Sequence, residues 1–245
     1  MFSFFKSKPT LQGLIPTNFV DIHSHLLPGI DDGAQNFDDS LSYINQMNAM
    51  GFDQLITSPH IFPGIWNNTK NGIIDLKNKT IVDLKNNNFN NHFDAAAEYM
   101  MNMEFVTLFQ KEKLLTLKDN YVLVEMSYIN PPIQLYEIIF DLQIAGYIPV
   151  LAHPERYSFY SNKLSEYEKL KKAGCRFQLN LLSTVGYYSL EVAKTADFLL
   201  ENDFIDFVGS DIHHQNHIDN FSNKLKIKNI DTLEKAIAAN QFFRI

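Results

Sequence analysis

The chain alternates short apolar runs, rich in β-branched and aromatic residues, with longer segments whose apolar positions recur at helical spacing. Short runs of this kind predict strands, and the longer pattern predicts amphipathic helices. The predicted strands are Phe19–His23, Gln54–Thr57, Asp94–Glu98, Val122–Met126, Pro149–Ala152, Arg176–Leu179 and Phe204–Val208. The predicted helices are Asp38–Met50, Thr69–Asn86, Phe105–Leu117, Gln134–Ala145, Lys163–Ala173, Leu190–Glu201 and Asp231–Asn240.

The order of these elements predicts the fold class. A strand followed by a helix, repeated along the chain, indicates right-handed βαβ units and a parallel sheet. No glycine-rich phosphate loop follows the first predicted strand, which argues against a dinucleotide-binding sheet. We therefore expect an α/β protein built as a TIM-like β/α barrel of seven strands, closed or nearly closed. The Asn-rich run 86–91 is typical of a solvated loop, so we expect one domain over residues 1–245, with an N-terminal tail at 1–18.

Composition narrows the function classes. The chain is 45% hydrophobic and 20% charged, with a formal net charge of −7, which is typical of a soluble globular protein and not of a nucleic-acid binder. The N-terminal apolar patch Phe2–Phe5 is too short for a signal peptide or a transmembrane segment, so we expect it to pack on the domain. Cys175 is the single cysteine and cannot form an internal disulfide, which favours the cytoplasm.

Polar residues follow the predicted strands at their C-terminal ends. Six of the seven strands end in a histidine, an aspartate or a glutamate. Catalytic groups of β/α barrels collect at this end of the strands, so these side chains are expected to lie close together. The candidate metal ligands among them are His23, His25, Asp32, His60, Glu98, Glu125, His153, Asp211 and His213.

The spacing of these residues points to metal-borne phosphoester chemistry. His23 and His25 lie two apart on an extended segment, and Asp211 and His213 repeat that spacing on the last strand, which neighbours the first strand in a closed barrel. A nitrogen and oxygen ligand set without thiolates suits Mn, Fe or Zn, and it is too large for one ion. Clusters of two or three divalent ions commonly catalyse phosphoester hydrolysis. The guanidinium of Arg156 would add two parallel N–H donors for phosphate oxygens.

Six segments carry a resemblance to a known family. They read DIHSHLLPGIDDGA at 21–34, TSPH at 57–60, AAEYMMNMEF at 96–105, LVEMSY at 123–128, LAHPERY at 151–157 and GSDIHH at 209–214. The chain thereby resembles the polymerase and histidinol phosphatase (PHP) superfamily. More narrowly, it is similar to the manganese-dependent protein-tyrosine phosphatases of bacterial capsule and exopolysaccharide operons.

The resemblance implies a distorted seven-stranded PHP barrel with a three-metal site, occupied by Mn²⁺. It implies a first ion held by His23, His25, Glu98 and Asp211, a second by Asp32, His60 and His213, and a third by Glu98, Glu125 and His153. Arg156 matches the family's phosphate-binding arginine, and Arg156, Asp211 and His213 are the expected catalytic residues. Alignment of the motif favours Asp32 over Asp31 as a ligand, with Asp31 supporting one.

The resemblance also implies the substrate, which is phosphotyrosine on proteins, typically on a bacterial tyrosine autokinase of polysaccharide export. Hydrolysis would proceed by attack of a metal-activated hydroxide. A cysteine-based phosphatase needs an arginine six positions after its cysteine, and Leu181 stands there after Cys175. Three alternatives stay open: a histidinol-phosphate or other small-molecule phosphatase, a phosphodiesterase of the same superfamily, and a metal-binding module without turnover.

Several other residues near the motifs have simpler expected roles. We expect His92 and His217 to be solvated, His214 to lie at the surface, and Tyr99 to be a packing residue. Glu155 either orients Arg156 or faces water. The segment 61–69, which contains Trp66, either lies over the site or packs on the barrel rim.

Overall fold

The computed structural model describes residues 7–161 and 163–245, so the patch Phe2–Phe5 lies outside the described residues. The strands are β1 (Phe19–Asp21), β2 (Phe52–Thr57), β3 (His60–Ile61), β4 (His92–Ala95), β5 (Glu98–Met100), β6 (Tyr121–Glu125), β7 (Ile148–Ala152), β8 (Arg176–Asn180) and β9 (Phe207–Gly209). The helices are α1 (Phe37–Ala49), α2 (Lys70–Asn86), α3 (Met103–Lys111), α4 (Leu135–Ile144), α5 (Leu164–Lys172), α6 (Leu190–Glu201), α7 (Gln215–Asp219) and α8 (Ile230–Ala239). None of the described helices is long and apolar enough to cross a membrane.

The strands form two parallel sheets, in the orders β1-β2-β4 and β3-β5-β6-β7-β8-β9. The predicted α/β class is confirmed, and each predicted strand overlaps an observed one. The third predicted strand, Asp94–Glu98, is split between the sheets at Ala96–Ala97, and the short strand β3, which follows β2 after Ser58–Pro59, was not predicted. Pro59 has no N–H to donate, so a regular ladder stops there. Backbone bonding nevertheless spans the breaks, because the N–H of Glu98 donates to the carbonyl of Pro59 at 3.1 Å.

The first and last strands meet through individual hydrogen bonds in place of a ladder. At their C-terminal ends, the N–H of Asp211 donates to the carbonyl of His23 (2.7 Å), and Ser24 and Ile212 form a parallel bridge. At the opposite end the buried amide of Asn240 lies between the strands. Its Nδ2 donates to the carbonyls of Val20 and Val208, at 2.8 Å each. The two sheets are thereby joined at β1 and β9 as well as through the short links from β2 to β3 and from β4 to β5.

A compact apolar cluster lies between the sheets and fills the end of the fold opposite the polar residues. It includes Val20, Ile56, Leu123 and Val150 from strands of both sheets, with Phe243 from the C-terminal segment. A larger cluster packs the helices against the outside of the strands. Because apolar side chains occupy the interior, the polar groups are left at the C-terminal ends of the strands, as in β/α barrels.

The boundaries of one predicted helix were wrong. The helix predicted over Phe105–Leu117 ends at Lys111, and two backbone N–H groups beyond it donate outside the helix. Leu114 donates to the hydroxyl of Tyr147 (3.0 Å), and Leu115 donates to that of Tyr99 (2.8 Å). These tertiary bonds replace the helical ladder in this segment. The short helix α7 was not predicted, since five residues give too little periodicity to detect.

Candidate metal centre and active site

The structure brings all nine predicted ligands together at the C-terminal ends of the strands. They are contributed by the segments after β1, β7 and β9, by β3 and β5, by the end of β6 and by the loop before α1. Six of them are at most 4% exposed and are called here the deep group: His23, His25, Glu98, Glu125, His153 and Asp211. The other three form the outer group: Asp32, His60 and His213, whose side chains are 55%, 14% and 14% exposed.

Glu98 lies at the middle of the deep group. Its Oε2 is 3.2 Å from both His23 Nε2 and His60 Nδ1, and 3.5 Å from His25 Nε2. Its Oε1 is 3.2 Å from His153 Nε2. Glu98 Oε2 and His60 Nδ1 are buried, yet neither makes a hydrogen bond with a described residue. Buried polar atoms are normally paired, so donor atoms that converge without hydrogen bonds point to a shared cation between them.

Asp211 joins the deep group to the outer group. Its Oδ1 is 3.2 Å from His23 Nε2 and 3.5 Å from His213 Nδ1. Its Oδ2 accepts hydrogen bonds from Arg156 Nη1 and Asn180 Nδ2, at 2.8 Å each. One carboxylate oxygen is thus held by the protein, and the other faces the histidines.

Two of these residues hold unusual backbone conformations. His153 has φ 39° and Asp211 has φ 51°, both in the left-handed region that side chains other than glycine rarely adopt. Such strain is tolerated where surrounding contacts fix it, and it clusters at functional sites. The strain here directs both side chains from the strand ends into the cluster.

Acceptor atoms orient three of the histidine rings. His23 Nδ1 lies 2.7 Å from Gln178 Oε1, and His25 Nδ1 lies 2.7 Å from Asp31 Oδ2. His213 Nδ1 lies 2.9 Å from the backbone carbonyl of Asp211. These oxygens accept, so each Nδ1 carries a proton and Nε2 is the nitrogen that would bind a metal. Asp31 therefore supports a ligand, which is the arrangement expected of it.

Two glycines allow the close approach of backbone to this cluster. A Cβ on Gly33 would lie 2.1 Å from the carbonyl oxygen of His25, and a Cβ on Gly209 would lie 2.6 Å from the Cβ of His23. Any larger residue at either position would displace a predicted ligand.

Ligand atoms within 4.8 Å of one another define four overlapping groups among the described residues. They are His25–Asp32–His60–His213, His23–His25–Asp211, His60–Glu98–Glu125 and His23–Glu98–His153. The three residues of the outer group lie in one of these clusters, as the resemblance implies, and His25 belongs to the same cluster. Glu125 and His153 fall in separate groups that share Glu98, so the partition of ligands between individual ions stays a prediction.

Charges within the cluster shift the pKa values of its members. Burial lowers the pKa of His23, but the carboxylates of Glu98 and Asp211 outweigh it and raise that pKa well above its usual value. Burial also lowers the pKa of His25, and Asp31 reverses the shift and raises it to about 10. In contrast, burial and the neighbouring His25 lower the pKa of His213 to about 4. A divalent cation and a proton therefore compete for His23 and His25 of the deep group.

Arg156 is held between two tyrosines beside the cluster. Its guanidinium carbon lies 3.9 Å from the ring centre of Tyr188 and 4.8 Å from that of Tyr128. The hydroxyl of Tyr188 accepts a hydrogen bond from Asn180 Nδ2 at 2.8 Å. Since only Nη1 is bound to Asp211, the other donors of the guanidinium are left for a ligand. A cavity of about 190 Å³ lies beside Arg156, between Asp211 and the outer group.

Predictions for the other residues were right in part. Tyr99 is a packing residue, as expected, and is 1% exposed. Trp66 is half-buried in a pocket with Tyr99 on the rim of the fold. His217 was predicted to be solvated and is buried, because α7 packs its ring beside His213.

Glu155 follows neither of its two expected roles. Its Oε1 accepts from Ser183 Oγ (2.7 Å) and from the N–H of Asn180 (3.0 Å), so it supports β8 and the turn after it. Burial raises the pKa of Glu155 to about 7.

Sequence reasoning missed several residues that support the site. The sixth predicted strand lacks a charged end, and it supplies the buried amides Gln178 and Asn180 instead. A polar pair at alternate positions of an apolar strand was the available signal. Tyr128 and Tyr188 gave no signal, because aromatic residues are most often core residues. Their position beside Arg156 depends on the folding of two separate loops.

Comparison with known proteins places the chain in a family. The family model for "Capsular polysaccharide synthesis, CpsB/CapC" matches residues 19–237. The tyrosine-protein phosphatase YwqE of Bacillus subtilis is 30% identical over 196 residues, which cover 80% of this chain and 77% of that protein. The putative tyrosine-protein phosphatase CapC of Staphylococcus aureus is 24% identical over 199 residues, covering 79% of this chain and 76% of CapC.

A solved structure agrees with these sequence matches. It comes from a study of YwqE from Bacillus subtilis and CpsB from Streptococcus pneumoniae, described there as unique metal-dependent tyrosine phosphatases. The match has a TM-score of 0.77 and 28% identity, and it covers 88% of this chain and 86% of the other. The fold and the site thus define a protein of the PHP-type phosphatase class. This chain belongs to the CpsB/CapC family of capsular polysaccharide synthesis.

Proposed function

We propose that this protein is a metal-dependent tyrosine-protein phosphatase. The observation that carries the proposal is Glu98, which lies within 3.5 Å of four histidine nitrogens. One of these histidines, His23, also lies 3.2 Å from Asp211, which binds Arg156. Relatives that share most of the chain are named tyrosine-protein phosphatases. A thiolate mechanism has no support, because burial raises the pKa of the Cys175 thiol to about 12.

The residues present fit a cluster of divalent ions. All the donor atoms are imidazole nitrogens and carboxylate oxygens, which suit Mn²⁺, Fe or Zn. They converge with unpaired buried atoms at Glu98 and His60, as atoms that share a cation do. We propose Mn²⁺ as the cofactor, bound as two or three ions by His23, His25, Asp32, His60, Glu98, Glu125, His153, Asp211 and His213.

The roles of the protein residues follow from their contacts. The ions, when bound, supply an activated water and neutralise charge on the phosphoryl group. Arg156 binds the phosphoryl oxygens through the guanidinium donors that Asp211 leaves free, and Tyr128 and Tyr188 fix the plane of that guanidinium. Asp211 and His213 orient each other and the incoming group. The leaving phenol has a pKa of about 10, so it needs less assistance from a proton donor than an alkyl alcohol would.

We propose that the substrate is a phosphotyrosine protein, and specifically a bacterial tyrosine autokinase of polysaccharide export. The support is the family, whose description is capsular polysaccharide synthesis. We further propose that the chain works in the cytoplasm as a single domain, and the lone cysteine is consistent with a reducing compartment.

The test compares kcat/KM of the Mn²⁺-loaded protein on a phosphotyrosine peptide, on the same peptide with phosphoserine, and on histidinol phosphate. We expect turnover of phosphotyrosine to exceed that of both other substrates by at least about 100-fold, because the phenol leaves more readily and fills the site. A preference for histidinol phosphate would replace the proposed substrate with a small molecule. Equal rates on the two peptides would rule out tyrosine specificity.

A further inference from the structure

His217 is the buried histidine that the proposed mechanism does not use. The backbone N–H of His213 donates to its Nδ1 at 3.1 Å. A nitrogen that accepts a hydrogen bond carries no proton, so the ring proton of His217 is on Nε2. The fold therefore fixes His217 as a neutral ring whose second nitrogen is a donor.

That donor has no protein partner. His217 Nε2 makes no hydrogen bond within residues 7–161 and 163–245, although the residue is only 7% exposed. The rings of His214 and Tyr187 enclose it, with centres at 3.9 Å and 4.9 Å. Nε2 is not one of the fully buried unpaired atoms of the described residues, so this donor is accessible at the cavity that His217 lines and is open to an acceptor from outside the protein.

The site for such an acceptor is the cavity beside Arg156. His217 lines this cavity of about 190 Å³ together with Arg156, Tyr188, Asp211 and His213. A protein cavity of about 150 Å³ holds a benzene-sized molecule, so this one has room for a phosphoryl group and part of a ring. The carboxylates of Asp32 and Asp211 also line it and would repel an anion, so an anion is expected there only when the divalent ions are bound.

We propose that the Nε2–H of His217 donates a hydrogen bond to a phosphoryl oxygen of the substrate, and of inorganic phosphate, beside the guanidinium of Arg156. The proposal rests on the phosphatase function proposed above. It makes His217 a substrate-binding residue in addition to its contact with the backbone of His213.

Binding of inorganic phosphate to the Mn²⁺-loaded protein, measured by calorimetry, tests the proposal. In His217→Asn, the amide oxygen can replace Nδ1 as acceptor for the His213 N–H, while the Nε2–H donor is lost. We expect the Kd for phosphate to rise at least about tenfold, as for loss of one hydrogen bond to a charged group, with unchanged affinity for Mn²⁺. His217→Ala loses both contacts, so we expect it to weaken phosphate and Mn²⁺ binding together. His92→Asn, at an exposed histidine, is the matched control and should change neither.

Wild-type phosphate affinity in His217→Asn would overturn the proposal, and so would a loss of Mn²⁺ affinity that accounts for the whole change. A crystal structure of the wild-type protein with Mn²⁺ and phosphate gives a test that does not depend on the folding of a variant. We expect Nε2 within about 3.2 Å of a phosphate oxygen, and a separation beyond hydrogen-bond range contradicts the proposal. Phosphate binding that depends on His217, without turnover of phosphotyrosine, would support this inference and reject the proposed substrate.

Discussion

The deep and outer groups of the centre differ in how the protein holds them. In the deep group, His23 is fixed by Gln178 and His25 by Asp31, at 2.7 Å each, while Asp211 accepts from two donors. In the outer group, Asp32 is 55% exposed and its nearest partners in the cluster are 3.5 Å away. The difference indicates a preorganised set of ligands beneath an adaptable one. An ion in the deep group should bind tightly, and one in the outer group should exchange and face the substrate.

The largest expected effect comes from Glu98, which contacts most of the deep group. Glu98→Gln removes the charge shared by four histidines, so we expect the bound metal content to fall by more than one ion and kcat/KM to fall by at least about 1,000-fold. Metal analysis and assay on a phosphotyrosine peptide measure both. Glu201→Gln, at an exposed position on α6, is the control and should match the wild type. Full activity in Glu98→Gln would remove the deep group from the mechanism.

Acidification should weaken metal binding mainly at His23 and His25 of the deep group. Carboxylates raise the pKa of His23 and His25, so without a metal these histidines hold protons that the metal must displace. We expect affinity for Mn²⁺ to fall about tenfold per pH unit for each proton displaced, or about 100-fold from pH 7.5 to 5.5 for one proton. Burial lowers the pKa of His213 and of His153 to about 4, so these two histidines should not contribute over this range. An affinity independent of pH between 7.5 and 5.5 would contradict the competition.

A substitution of Asp32 tests whether the outer group holds an exchangeable ion. Asp32→Asn removes one exposed charge and leaves the deep ligands in place, so we expect kcat/KM to fall by between about 10- and 100-fold. Raising the Mn²⁺ concentration should restore much of the loss, because the weakened ion is an exchangeable one. Asp75→Asn, on the exposed face of α2, serves as control. A loss as large as that in Glu98→Gln, with no response to added Mn²⁺, would show that the two groups are not distinct.

Gln178 tests the support beneath the deep group and should give the smallest effect. Gln178→Leu keeps the volume in β8 and removes the acceptor for His23 Nδ1, so the ring can take the wrong tautomer. We expect affinity for the tighter ion to fall about tenfold, with little change for the exchangeable ion. A Mn²⁺ titration followed by activity separates the two phases. Equal weakening of both ions would contradict a local role for Gln178.

Much of the fold and most of the centre could be predicted from the sequence, because the alternation of apolar runs and helical segments locates the strands and also their C-terminal ends. Apolar runs followed by helical segments gave the strand order, and His23, Glu98 and Asp211 stand out because charged residues at strand ends are uncommon in a core. The break in the third predicted strand and the short strand β3 were harder to predict. Pro59 marked one break, but Ala96–Ala97 carries no breaker, and its bend depends on pairing with neighbouring strands.

The residues that the sequence concealed act through tertiary contacts. Gln178 and Asn180 are neutral amides that resemble ordinary surface residues until β8 is buried. His217 lies in a helix too short to leave a periodic signal, and its burial depends on packing beside His213 and Tyr187. Local pattern therefore predicts which side chains carry charge, while the three-dimensional packing decides which neutral residues orient them.

The most direct test of the central claim is turnover of a phosphotyrosine peptide by protein whose metal content has been measured. Treatment with EDTA followed by its removal should abolish kcat/KM, and Mn²⁺ should restore it once two or more ions are bound per chain. This result is predicted because the proposed nucleophile is a metal-activated water, and the single cysteine cannot replace it: Cys175 is buried, and burial raises the pKa of its thiol to about 12. Sustained phosphotyrosine turnover by protein verified to hold no metal would contradict the account.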